Sequence, residues 1–168
     1  GVLSSGKKKE EPVALEELKR GFIEDVRSDL IGRKRKLMTG CGSIHLSLFF
    51  DPISGEAKEM YISKGSSGTC VSNITTISRL SSSILRLGGS LDMVIDQMNS
   101  SLACPSFVVR SKTKGDTSSG NSCSSAIAFA IKQMELDIKN ELFMTELEEE
   151  SEEEVVNPCP ECGEGMIN

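Results

Sequence analysis

Two runs of alternating apolar and polar residues, joined by a turn, constrain this chain more than any other feature. In the first run Ile44, Leu46 and Leu48 alternate with polar residues, which is the two-residue period of a half-buried strand. Residues 51–55, Asp-Pro-Ile-Ser-Gly, are typical of a turn, and the alternation resumes beyond them. We therefore predict a β-hairpin over about residues 42–63.

Much of the remaining chain carries the three- to four-residue period of helices. The helices predicted from these apolar stripes cover Val13–Leu30, Val71–Leu87, Leu91–Met98 and Ser122 to about Leu147. The apolar run Phe107-Val108-Val109 predicts a short strand. A small antiparallel sheet packed against three to four helices is an α+β fold.

Composition divides the chain into one domain with a solvated segment at each end. Residues 1–12 are rich in Gly, Ser, Lys and Glu and predict a disordered linker, whereas residues 13–145 form the α+β domain. Glutamates dominate residues 146–157, which we interpret as an acidic linker to a Cys-x-x-Cys tail at 158–168. Gly1 is not a start methionine, which fits either a fragment of a longer protein or a tag residue.

Charge and hydropathy limit the classes of partner. The net charge of −6 makes nucleic acid an unexpected partner. The basic run Arg33-Lys34-Arg35-Lys36 is either a solvated strand or linker, or a phosphate or nucleotide contact. No window of about 18 apolar residues exists, so we expect no membrane span. Six cysteines without a secretion signal indicate a reducing compartment, and we expect a cytoplasmic protein.

Four cysteines lie in the predicted domain, each at the end of a predicted element. They are Cys41, Cys70, Cys104 and Cys123. A thiol at a helix N-terminus feels a positive partial charge, which favours the thiolate and hence metal binding or redox reactivity. The four lack the short Cys-x-x-Cys pair that structural zinc sites usually contain, so buried and inert cysteines are an equally weighted alternative.

The tail contains the one closely spaced thiol pair of the chain, Cys159 and Cys162. Both sulfurs can face one metal ion, or they can close on each other as a reversible disulfide. As zinc ligands the two cysteines supply only half of a four-ligand site. As a redox pair they are complete, and the acidic linker would let them reach a distant disulfide. A stub without function is a third interpretation. The lone His45 falls on the polar side of its strand and is interpreted as an ordinary sheet residue.

Several spaced motifs resemble the TSCPD domain over about residues 20 to 140. Lys36–Ile44 resembles its Lys-x-x-Thr-Gly-Cys-Gly opening, and Gly65–Cys70 and Cys104-Pro105 follow in the same order. The Thr-Ser-Cys-Pro-Asp signature that names the family stands here as Asn121-Ser122-Cys123-Ser124-Ser125. Only the Ser-Cys core is kept, so the resemblance is to a divergent member.

The resemblance implies a role beside a larger enzyme. This domain occurs at the C-terminus of adenosylcobalamin-dependent (class II) ribonucleotide reductases, where a cysteine-rich, often zinc-binding tail carries electrons to the active site. It therefore implies an accessory module whose Cys159 and Cys162 re-reduce the active-site disulfide. The implied partners are the catalytic part of the reductase, in cis or in trans, and a thioredoxin-like reductant. The implied metal is zinc.

Adenosylcobalamin would belong to the parent enzyme. The sequence contains no radical-cysteine loop and no recognisable cobalamin or substrate site, so we do not expect it to reduce nucleotides alone. Stand-alone TSCPD proteins also exist, and a non-enzymatic metal-binding or regulatory protein is the alternative function. An independent thiol–disulfide protein ranks third, because no thioredoxin-like βαβ frame surrounds the tail pair.

Overall fold

The computed structural model describes residues 21–64 and 70–156, which form a three-stranded antiparallel sheet and four helices. The strand order is β1-β2-β3. This arrangement confirms the predicted α+β class. In chain order the elements are β1 (Ile31–Thr39), β2 (Gly42–Phe50), β3 (Ala57–Lys64), α1 (Val71–Arg86), α2 (Leu91–Asn99), α3 (Pro105–Thr113) and α4 (Cys123–Val156).

The predicted hairpin is confirmed as β2 and β3. Leu46 and Leu48 are fully buried, as their alternation requires. The Asp51 carboxylate accepts hydrogen bonds from the backbone N–H groups of Ile53 at 2.8 Å and Ser54 at 3.1 Å, and Gly55 has a φ of +71°. The turn is therefore closed by an Asx-type bond and by the residue that tolerates a left-handed backbone.

The helix predicted over Val13–Leu30 is wrong for its described part, and the strand β1 that follows it was not predicted. Residues 13–20 lie outside the described part of the chain, and residues 21–30 contain no helix. Gly21 has a φ of +79°, a conformation that stops an α-helix. β1 was missed because its inward positions carry Arg33 and Arg35, which remove the apolar alternation that marks a strand.

Two of the predicted helices are confirmed almost to the residue. They are α1 and α2. The Ser90 hydroxyl accepts a hydrogen bond from the Met93 backbone N–H at 3.2 Å, so Ser90 caps the start of α2. Residues of both helices join the sheet in one hydrophobic core, and α2 also packs against α4.

The strand predicted at Phe107-Val108-Val109 is wrong, because these residues lie in the helix α3. Pro105 occupies its first turn, where a missing N–H costs nothing, and Cys104 before it is extended. Only Phe107 is buried, so the nine-residue helix shows no apolar period that could reveal it from the sequence.

α4 begins at Cys123, close to the predicted start, and continues for 34 residues. The acidic run 146–157, which we predicted as a linker, is helical up to Val156, and residues 146–151 are exposed. Glutamate has a high helix propensity, so the run can extend the helix although residues 146–151 are exposed. The predicted linker 1–12 and the tail 158–168 lie outside the described residues.

The core lies between one face of the sheet and the helices. It combines inward residues of all three strands with residues of α1, α2 and α4. α1 also closes the outer edge of β3. There the Ser82 hydroxyl accepts from the Met60 N–H at 2.9 Å and donates to the Met60 carbonyl at 2.8 Å. No helix in the described ranges is long and apolar enough to cross a membrane.

Candidate functional site

The four domain cysteines lie at one end of the sheet. In an antiparallel sheet the end of β1, the start of β2 and the end of β3 meet at the same edge. Cys41 lies in the turn between β1 and β2, and Cys70 directly precedes α1. Cys104 directly precedes α3, and Cys123 is the first residue of α4. All four thiols are free, with Cys41 and Cys70 exposed and the other two half-buried.

Close backbone packing holds the Cys41 turn against the start of α3. Gly40 lies so near the backbone of Ser106 and Phe107 that a Cβ at this position would collide with it. The Cys104 N–H in turn donates to the Asn121 carbonyl at 2.9 Å, two residues before Cys123. Three of the four cysteines are thereby tied to one another through main-chain contacts.

The polar loop between α3 and α4 is fixed to the edge of β1. The Ser118 N–H donates to the Met38 carbonyl, and the Met38 N–H donates to the Ser118 hydroxyl, both at 2.9 Å. These two bonds give the Met38 backbone groups partners at the outer edge of β1. They also fix the approach of the chain to α4.

A reciprocal capping box positions Cys123 at the start of α4. The Ser122 hydroxyl accepts from the Ser125 N–H at 3.1 Å, and the Ser125 hydroxyl accepts from the Ser122 N–H at 3.0 Å. The Asn121 N–H also donates to the Ser125 hydroxyl, at 3.0 Å. Ser125 occupies the place of the Asp in the Thr-Ser-Cys-Pro-Asp signature, and its side chain caps the start of α4.

The pKa of Cys123 depends on the other three domain cysteines. Burial raises the pKa of the Cys123 thiol, and a hydrogen bond with Thr39 acts in the opposite direction. Cys104, Cys41 and Cys70, in their ionised forms, each raise that pKa further through charge repulsion. Such repulsion is effective only over a short range, so each of the three lies near Cys123.

Sequence reasoning missed Thr39 as part of this site. It is 2% exposed, its hydroxyl donates to the Gly42 carbonyl at 2.7 Å, and it accepts from the Cys41 N–H at 3.3 Å. The same side chain therefore shapes the Cys41 turn and contacts Cys123. The available signal was its place in the Thr39-Gly40-Cys41-Gly42 motif.

Four cysteine sulfurs are suitable ligands for a soft metal ion, but the structure does not place them around one common point. Four cysteine thiolates are the ligands that zinc prefers in structural sites. Within residues 21–64 and 70–156, no three Cys, His, Asp or Glu side chains are arranged to hold a metal ion. A metal would therefore have to draw the sulfurs closer together.

The other predicted site residues lie elsewhere. His45 is in the middle of β2, opposite Lys36 of β1, as expected of an ordinary sheet residue. Cys159 and Cys162 lie outside the described residues, so their role as a dithiol stays a prediction.

Comparisons with known proteins identify the domain. No curated protein and no solved structure matches the chain. The family model of the TSCPD domain matches residues 17–135, well over half of the chain. The matched range contains the three strands, the first three helices, the four domain cysteines and the capping box of α4. This chain therefore belongs to the TSCPD domain family.

Proposed function

We propose that this chain is the C-terminal accessory module of an adenosylcobalamin-dependent ribonucleotide reductase. In this role it supplies reducing equivalents to the enzyme and does not itself act on the nucleotide. Membership of the TSCPD family supports the proposal, since this domain is found at the C-terminus of such reductases. The single structural observation that supports this proposal is that α4 extends beyond the folded domain towards the tail. The sheet and the other three helices precede α4, and α4 continues as an acidic helix to Val156, with residues 146–151 exposed.

The chemistry assigned to the tail is thiol–disulfide exchange. The thiolate of one tail cysteine, Cys159 or Cys162, attacks the active-site disulfide and forms a mixed disulfide, which the second tail thiol then resolves. Two electrons pass to the active-site cysteines, which take up two protons as they become thiols. The tail becomes a disulfide, and a thioredoxin-like dithiol returns it to the reduced state. Tethering raises the effective concentration of the tail at its target.

The test is made in the parent enzyme, with two different reductants. Cys159→Ser and Cys162→Ser are each expected to abolish turnover driven by thioredoxin and to leave turnover driven by a small dithiol nearly unchanged. Glu161→Gln, which lies between the two cysteines, is the matched control and should preserve both activities. Equal losses with both reductants in the cysteine variants would contradict the shuttle role.

A second candidate function is favoured by the cysteine cluster. We propose that the domain binds one zinc ion through Cys41, Cys70, Cys104 and Cys123. The support is their shared neighbourhood around Cys123 and the main-chain contacts that hold three of them together. A zinc ion would fasten the Cys41 turn and the starts of α1, α3 and α4 to one another, so its binding free energy would add to the stability of the fold.

Metal analysis of reduced, purified protein tests this second function. We expect about one equivalent of zinc per chain in a four-cysteine site, and loss of the metal in Cys123→Ser. The double change Cys159→Ser with Cys162→Ser is the control and should retain the metal. A zinc content below about one tenth of an equivalent would leave the domain cysteines as inert packing residues.

A further inference from the structure

The sheet has a second face, opposite the core, that the proposed function does not use. Its residues alternate with the buried ones and line up across the strands. In register they form the rows Gly32–Phe49–Glu59, Lys34–Ser47–Tyr61 and Lys36–His45–Ser63. We call this surface the open face. Tyr61 is 57% exposed on it, and both lysines are exposed.

The basic run of β1 is divided between the two faces. Arg33 forms an ion pair with Glu141, and Arg35 forms one with Asp137, both on α4. Lys34 and Lys36 lie on the open face and form no ion pair with any described residue. The strand thus neutralises its arginines within the fold and leaves two positive charges on the open face.

A groove of about 350 Å³ runs between the open face and α1. Two aromatic rings, Tyr61 and Phe49, lie on its sheet side, and two arginines, Arg79 and Arg86, lie on its helix side. A Cβ on Gly32 would stand 2.8 Å from the Phe49 ring, so the edge of that ring lies against β1 at Gly32. Small-ligand sites begin at about 300 Å³, so the groove matches one small molecule better than a polymer.

The two arginines supply donors that the fold leaves unused. Arg86 Nε is buried without a hydrogen-bond partner among the described residues, and only a 3.5 Å bond joins Arg86 Nη2 to the Glu24 carbonyl. Arg79 is exposed and forms no ion pair within the described ranges. A guanidinium with free N–H groups matches the geometry of phosphate oxygens.

We propose that this groove binds a nucleoside polyphosphate, with the base stacked on Tyr61 and the phosphates held by Arg79 and Arg86. Flat rings beside paired guanidinium groups match the two halves of such a ligand, since aromatic side chains stack on bases and arginines bind phosphates. Lys34 and Lys36 add to the positive potential that attracts it. This inference does not depend on the reductase role or on the cysteines.

A longer nucleic acid fits the observations less well. The chain has a net charge of −6, and Glu59 lines the same groove, so an extended phosphate backbone would meet repulsion over a larger area than one nucleotide does. The groove also has the volume of a single small ligand.

The chain has one tyrosine and no tryptophan, so Tyr61 can be observed without interference. In protein labelled with 3-fluorotyrosine, the ¹⁹F spectrum contains a single resonance from the ring that is proposed to stack. ATP and CTP are expected to shift this resonance saturably, and calorimetry should give matching dissociation constants. Tripolyphosphate, which has no base, should bind at least tenfold more weakly than ATP.

Variants on the two faces of the sheet locate the site. Arg79→Ala should weaken ATP binding at least tenfold, and Arg79→Lys should weaken it less, because the charge remains without the fork. Tyr61→Leu should weaken ATP binding and leave tripolyphosphate binding unchanged. Arg35→Ala lies on the opposite face of β1 and is the control, with an unchanged dissociation constant expected.

Four results would overturn the proposal. The first is no saturable shift or heat with ATP or CTP up to millimolar concentration. The second is tripolyphosphate bound as tightly as ATP. The third is an equal loss of ATP affinity in Arg35→Ala and Arg79→Ala. The fourth is a single-stranded decathymidylate bound more than a hundredfold tighter than ATP, which would make the open face a nucleic-acid surface.

Discussion

Ser122 and Ser125 cap α4 by exchanging hydrogen bonds, each hydroxyl accepting from the backbone N–H of the other. The exchange satisfies donors at a helix start that would otherwise have no partner. Both side chains are buried, at 5% and 7% exposure, so water cannot replace either hydroxyl. In this chain, the residues at the family signature therefore fix the start of α4 and with it the position of the Cys123 thiol.

Ser125→Ala is predicted to lower the free energy of unfolding by about 1–2 kcal/mol, the usual cost of a lost cap. The change leaves the N–H groups of Asn121 and Ser122 without their acceptor. Ser124→Ala is the matched control, because the Ser124 hydroxyl makes no hydrogen bond with a described residue, and it should change stability by less than about 0.5 kcal/mol. Urea denaturation measures both. Equal effects would show that the cap is unimportant.

Gly40→Ala is predicted to destabilise the domain by about 1–3 kcal/mol, as overpacking does. The new methyl group would meet the backbone of Ser106 and Phe107, which can move only if the start of α3 moves. Gly32→Ala is the comparison, since its methyl group meets only the Phe49 ring, which can rotate away. The prediction fails if Gly32→Ala costs as much as Gly40→Ala in the same denaturation experiment.

Ser82→Ala is predicted to cost about 1–3 kcal/mol, because both backbone groups of Met60 lose their partner at a covered strand edge. Ser83→Ala removes an exposed hydroxyl that bonds only within its own helix, to the Arg79 carbonyl at 3.1 Å. That change should cost less than about 0.5 kcal/mol. Amide exchange at Met60 should quicken in the first variant and stay unchanged in the second.

The raised pKa of Cys123 predicts a loss of stability at alkaline pH in the metal-free, reduced protein. Above about pH 8.5, the ordinary thiol pKa, the unfolded chain releases a proton that the folded chain still holds. Deprotonation therefore favours unfolding, and the stabilising contribution is lost as the pH rises through the folded pKa.

Denaturation of wild type and Cys123→Ala between pH 7 and 10 checks this prediction. The variant is expected to show a shallower decline of stability with pH, whatever its stability at pH 7. Identical slopes would mean that the Cys123 thiol ionises equally in both states.

The hairpin, α1 and α2 could be predicted from the sequence, because each buries its own apolar stripe against the core. β1 could not be predicted from the sequence, and the reason is physical. Its inward arginines, Arg33 and Arg35, are neutralised by Glu141 and Asp137 from the other end of the domain. A strand cannot be recognised from alternating apolar residues when its inward side chains are arginines that form ion pairs with residues far away in the sequence.

The candidate site could be predicted residue by residue but not as a cluster. The cysteines were identified from their places at element ends, yet their separations along the chain gave no indication that they meet. Their proximity arises from the contact of Gly40 with Ser106 and Phe107 and from the bond between Cys104 and Asn121, which link segments far apart in sequence. The segment of α3 was also predicted as a strand, so Cys104 was not recognised as the residue that precedes a helix.

The length of α4 limits what the tail can do. At about 1.5 Å per residue, a helix of 34 residues places Val156 about 50 Å from Cys123. The three further residues to Cys159 can recover at most about 11 Å, and the six to Cys162 at most about 22 Å, even if fully extended. The tail thiols of a chain therefore cannot join the cysteines of the same domain as ligands of one metal ion, or form a disulfide with Cys123. α4 thus keeps the domain cysteines and the tail pair apart, and a disulfide or metal partner for the tail cysteines would have to come from another domain or another molecule.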